Sequence, residues 1–180
     1  NTGCGWFSVS RSGSLIYARG GIYPDRQHSL VWVDHSGAQQ PAAAFKAAFF
    51  APRISPDGRQ IAYVSMSKQW KIWVCDQLRG TASLFPGESG VNYVIWSPDG
   101  KRLVFGEEKA GITNVYWQAA DGGPPKEALS VGEYARLPVS WSPDGETLAL
   151  LELRSGAPWH VLFAKVRDGR VISLSLIHIS

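Results

Sequence analysis

The chain has few of the residues that carry most protein chemistry: two cysteines, one methionine and four histidines among 180 residues. Two cysteines, Cys4 and Cys75, do not make a disulfide framework, though they leave a single bridge between them open. Cys75 closes the apolar run Ile72-Trp73-Val74-Cys75 and reads as a small buried hydrophobe. His28, His35, His160 and His178 are isolated, and none stands at metal-ligand spacing from another histidine or cysteine. No run of 18 apolar residues occurs, so no helix of this sequence would span a membrane. Charge is sparse as well: 18% of residues are Asp, Glu, Lys or Arg, the net charge is +3, and the cations are scattered. A surface that tracks phosphates needs them clustered, so nucleic acid is not an expected partner.

Catalytic motifs are missing too. Gly87-Glu88-Ser89-Gly90 lacks the spacing of a nucleophile elbow, and no helix pattern follows it. Neither a Gly-rich phosphate loop nor a kinase catalytic loop is present. His35 lies beside Asp34, but Asp34-His35-Ser36-Gly37 reads as a turn in which Asp and Ser bond the local backbone. Asp57, Asp99 and Asp144 each stand alone, without the dense acidic series of a calcium loop, and read as turn formers. Glu107, Glu108 and Glu127 read as solvated loop and edge charges. The expectation is therefore no catalytic residue, no cofactor and no metal site in this chain.

What the sequence does have is 19 glycines, 11 prolines, eight tryptophans and a repeat. Ser-Pro-Asp-Gly occurs at 55–58, 97–100 and 142–145, with a degenerate Ser-Arg-Ser-Gly at 10–13. The spacing is roughly 45 residues, the length of one four-stranded propeller blade. The third copy is the clearest. Residues 91–96 make an inner strand, Ser97-Pro98-Asp99-Gly100 turns the chain, and 101–105 return. A third strand covers 113–118, and a short outer one covers 126–129. Pro pre-sets φ in the turn, Asp tolerates the next position, and Gly supplies the positive φ. The second copy reads as 51–54, 60–64, 71–75 and 81–84. The fourth reads as 138–141, 147–151 and 160–163, and the first keeps strands at 15–17 and 30–33. The fold class is all-β: four blades, at 6–49, 50–90, 91–133 and 134–173, of a larger propeller.

Trp96 and Trp141 precede their turns at one repeat position, and Trp32, Trp73 and Trp117 recur in the third strand. Such recurrence indicates packing between blades, not a ligand cage. Trp6, Trp70 and Trp159 fall off the pattern. Trp70, beside the polar loop 67–69, and Trp159, after Gly156-Ala157-Pro158, are the candidates for exposed contacts.

The segment Ser-Pro-Asp-Gly-Lys-Arg-Leu-Val-Phe at 97–105, followed by Asn-Val-Tyr-Trp-Gln-Ala-Ala-Asp-Gly at 114–122, resembles the TolB-type bacterial propeller repeat, a WD-like repeat, which implies a ring closed by six blades. With Phe7-Ser8-Val9-Ser10, Leu15-Ile16-Tyr17 and 29–34, it is similar to the C-terminal propeller of receptor-type bacterial serine/threonine kinases. That resemblance implies a non-catalytic sensing domain outside the cytoplasmic membrane, which would bind a protein, peptide or envelope ligand through loops on one face or at the channel mouth. It also implies that the remaining blades, in the same chain, are partners of this fragment. Related propellers gate prolyl-oligopeptidase-like serine hydrolases or stand alone as periplasmic scaffolds. Finally, residues 174–180 resemble the translation of a sequencing adapter, which implies a native chain ending near Ser173 and no role for His178.

Overall fold

A computed structural model describes residues 7–9, 13, 15–18, 27–43, 45–66, 69–87 and 90–177. Cys4, Trp6, the degenerate turn at 10–12, Glu88, Ser89 and His178 lie outside the described residues. The chain divides into two compact units, residues 1–89 and 90–180, each holding two four-stranded antiparallel sheets.

In the first unit one sheet is β1 (Phe7–Val9), β2 (Leu15–Ala18), β3 (Leu30–Val33) and β4 (Gln39–Pro41). The other is β5 (Phe49–Ile54), β6 (Gln60–Met66), β7 (Trp70–Asp76) and β8 (Thr81–Leu84). Between them Ile16, Leu30, Ile61, Tyr63 and Cys75 form a buried core, with Phe49 edge-on to Tyr63 at 4.6 Å. Burial pushes both the Tyr63 phenol and the Cys75 thiol up, and Cys75 is free.

The second unit pairs β9 (Val91–Trp96), β10 (Arg102–Lys109), β11 (Ile112–Ala119) and β12 (Glu127–Ser130) in one meander. Its other sheet is β13 (Ala135–Trp141), β14 (Thr147–Leu153), β15 (His160–Arg167) and β16 (Arg170–Ile177). Val104, Val115 and Trp117 of the first meander meet Leu148, Leu150, Leu162 and Ala164 of the second. The alternation of apolar residues along each strand puts these side chains on one face, and their burial supplies the main cohesion.

Observed strands are longer than the sequence patterns suggest. β5 starts at Phe49, β13 at Ala135, and β14 and β15 run on to Leu153 and Arg167. The first strand of three sheets carries a register shift: between Phe50 and Arg53, opposite the Phe105/Gly106 step, and between Pro138 and Ser140. Such bulges break the period-2 signal, which hides the first half of β5 and β13 from a pattern reading, whereas β9 is legible from Val91 on. Ala51 and Tyr93 take positive φ there (47° and 51°), at the same place in their repeats. β16 extends beyond Ser173: Leu174, Ser175, Leu176 and Ile177 pair with β15, and Leu176 packs on the core.

The register also separates the third-strand tryptophans. Trp32 lies opposite Ile16 and Trp117 opposite Val104, equivalent places counted from the inner strand. Trp73 lies opposite Tyr63, one residue away, and therefore faces the other side of its sheet. The expected recurrence holds for two of the three. Trp73 differs because the β6–β7 hairpin sets its own register.

Candidate functional site

The repeated turns are built alike. Ser55 Oγ donates to Asp57 Oδ1 at 2.6 Å, and the Arg59 N–H donates to the same oxygen at 3.0 Å. Ser97, Asp99 and Lys101 repeat this arrangement, as do Ser142, Asp144 and Glu146. The serine hydroxyl and then the backbone N–H hold Asp57 and Asp144 below the ordinary carboxylate value. At Asp99 burial is the largest influence and works the other way, but the Ser97 hydroxyl, the Lys101 N–H and the charges of Lys101 and Arg102 together outweigh it. One oxygen of each carboxylate is thus committed to the fold. Asp34 acts similarly: its Oδ1 accepts from the Ser36 N–H, the Ser36 hydroxyl and the Ala38 N–H, while neighbouring His35 is exposed. His28 is buried in a bridge to Ala47.

Two glutamates change the picture. Glu107, expected in solvent, is fully buried on β10. Its carboxylate accepts from Lys126 Nζ at 2.6 and 2.5 Å, and that ammonium also lies 5.2 Å from the Tyr116 ring. The pair Glu107-Glu108 looks like a solvated run, yet strand alternation sends one side chain inward and leaves Glu108 exposed. Glu127 is exposed as expected, and accepts a hydrogen bond from Trp117 Nε1 at 3.2 Å.

Glu152 stands ten residues after Ser142, as Glu107 stands ten after Ser97, and is 2% exposed. Arg136 Nε donates to its Oε2 and Arg154 Nε to its Oε1, both at 2.8 Å. Burial raises the carboxyl, but the two guanidinium groups outweigh this and hold it below its ordinary value. Arg136 also donates to Ser130 Oγ at 2.8 Å, tying β13 to the end of the preceding meander. Gly132 lies against this guanidinium, so that a Cβ there would come within 3.1 Å of Arg136 Cζ. The signal for Glu152 was the alternation Leu148, Leu150, Glu152, which shares one face.

This buried network supports an exposed one. Arg154 lies over the Tyr134 ring at 4.8 Å, and Tyr134 is 40% exposed. Trp159, in the same hairpin as Arg154, is 60% exposed, and Val131 is exposed beside Tyr134 in the 131–134 connection. These loops sit at the end of the sheets opposite the Ser-Pro-Asp-Gly turns. The structure thus finds Trp159 exposed. It does not find Trp70 so: β7 begins at Trp70, and its half-buried ring packs on Phe50 at 5.5 Å. Trp96 is buried, whereas Trp141 is half-buried with an Nε1–H that has no partner.

Four antiparallel four-stranded meanders, three of them keyed by one turn motif, define a segment of a β-propeller. The chain belongs to the TolB beta propeller domain family, whose pattern matches residues 18–177. It is similar in fold to TolB from Acinetobacter baumannii, at 19% identity and a TM-score of 0.78, over 94% of this chain and 42% of that one. A putative TolB from Agrobacterium tumefaciens matches at 16% identity and a TM-score of 0.77, over 94% of this chain and 63% of that one. Pyrococcus horikoshii acylaminoacyl peptidase matches at 14% identity and a TM-score of 0.58, over 97% of this chain and 32% of that one. The chain therefore spans less than two thirds of the length of each of these proteins.

Proposed function

We propose that this chain is a non-catalytic protein-recognition platform that uses the loop end of its second unit. One observation carries the reading: the buried Glu152 holds Arg154 over the exposed Tyr134 ring, and exposed Trp159 stands in the same hairpin as Arg154. Tyr, Trp and Arg dominate the energetics of protein interfaces, and a pre-held arginine loses little freedom on binding. The resemblance of residues 29–34 and 114–122 to the propellers of receptor-type kinases supports a receptor-like bacterial serine/threonine kinase as the parent protein, with this propeller as its extracytoplasmic sensor for a protein, peptide or envelope ligand. The similarity to an acylaminoacyl peptidase supports a second reading, the substrate-gating propeller of a serine hydrolase. A stand-alone periplasmic scaffold is supported by the TolB structures.

Sequencing the source DNA through both ends of the reading frame separates the three. A kinase domain and a membrane span upstream support the receptor. A G-x-S-x-G motif followed by Asp and His downstream supports the hydrolase, and a signal peptide with no kinase supports the scaffold. Once a partner is in hand, Tyr134→Ala and Trp159→Ala should each weaken binding about 30-fold or more, the effect of losing a hot spot. Unchanged affinity in both variants would refute the use of this end.

A further inference from the structure

At the opposite end of the second unit, between the turns 97–100 and 142–145, lies a cleft of about 520 Å³. Trp117, Trp141, Pro98 and Val166 give it an apolar lining. Arg102 lies on the Trp117 face, its guanidinium 3.9 Å from the ring centre. That guanidinium donates no hydrogen bond and forms no ion pair among the described residues, although its charge helps to hold the Asp99 carboxyl down. It is not a repeat feature: Gln60 and Thr147 occupy the matching positions before Ile61 and Leu148. A half-buried arginine held flat by an indole, with its N–H fork unanswered, is a receptor for a planar oxyanion.

The remaining lining fixes the rest of the ligand. Lys101 stands beside Arg102, while Asp99, Asp144 and Asp168 also line the cleft. Asp99 and Asp144 each have only Oδ1 engaged in their turns. Three carboxylates disfavour a multiply charged anion, and a simple cation would leave Arg102 unanswered. We infer that the cleft binds an amphipathic zwitterion, the chemistry of a free amino acid or short peptide. Its carboxylate would meet Arg102, its ammonium the aspartates and its apolar body the indoles and Val166. The volume suits a ligand of that size.

The test is calorimetric titration of the 180-residue chain with L-phenylalanine, with phenylpropionate and phenethylamine as single-charge controls. Saturable binding of phenylalanine is expected, with both controls at least tenfold weaker. Arg102→Gln, which installs the residue found at the matching place in β6, should weaken phenylalanine about tenfold, the effect of one charge-assisted contact. Asp168→Asn should weaken phenylalanine and spare phenylpropionate. Circular dichroism of each variant reports whether the sheets are kept. No saturable phenylalanine binding up to about 10 mM, or equal binding by folded Arg102→Gln, would overturn the proposal.

Discussion

Glu152 shows how a single residue couples fold to surface. Its carboxylate is buried, bonded to two arginines, and depressed below its ordinary value near 4.5. A depressed folded-state value means that the ionised form stabilises the fold. That contribution is complete above about pH 4.5 and is lost as pH falls through the lower folded value. Glu152→Gln leaves two cations facing a neutral amide, and should cost roughly 3–5 kcal/mol in chemical denaturation. The same variant should flatten the acid limb of the stability-versus-pH curve, and a curve superimposable on the parent's would show that Glu152 is not the group responsible. Glu107 was read as solvated because two adjacent acids look alike in sequence, and only burial distinguishes the inward one from the outward one.

At the scale of the strand, the β9–β10 bulge depends on one glycine. A Cβ on Gly106 would lie 2.6 Å from Asn92 Oδ1, 3.0 Å from the Asn92 carbonyl and 3.0 Å from Thr113 Cγ2. Its φ is ordinary, so the restriction is close approach, not backbone strain. Gly106→Ala should destabilise the second unit by about 1–3 kcal/mol, the usual cost of overpacking. A melting temperature equal to the parent's would mean that β9 can shift without loss. Leu150 tests the core at the same scale: it is fully buried among Val104, Trp117 and Leu162, and Leu150→Ala should cost roughly 2–5 kcal/mol. Turn chemistry was legible in the sequence because Pro, Asp and Gly act locally. Bulges were not legible, because they depend on the neighbouring strand.

For the molecule as a whole, the informative surface is the far face of the fourth sheet. Ala149, Val161 and Phe163 occupy the register of Val104, Val115 and Trp117 one repeat earlier. The earlier set is at most 6% exposed, whereas the later set is half-buried. An apolar sheet face of this kind favours association. The 180-residue chain should therefore self-associate with rising concentration in sedimentation velocity, and Phe163→Lys should reduce this while keeping the β-sheet circular dichroism. A strictly monomeric species with a sharp, reversible thermal transition would argue against it.

The sequence by itself determined the all-β class, the four-sheet repeat, the Ser-Pro-Asp-Gly turns and the exposure of Trp159, because these rest on period, local turn geometry and position in a loop. Tertiary structure decided what lies across a strand or between sheets. It buried Glu107 and Glu152 beside their cations, turned Trp73 to the opposite face from Trp117, and packed Trp70 on Phe50. It also set Arg102 on Trp117 at the rim of a cleft. The physical reason is range: a turn is closed by neighbours along the chain, whereas a buried charge is defined by partners that only pairing and packing bring within 3 Å, such as Arg136 at 2.8 Å from Glu152.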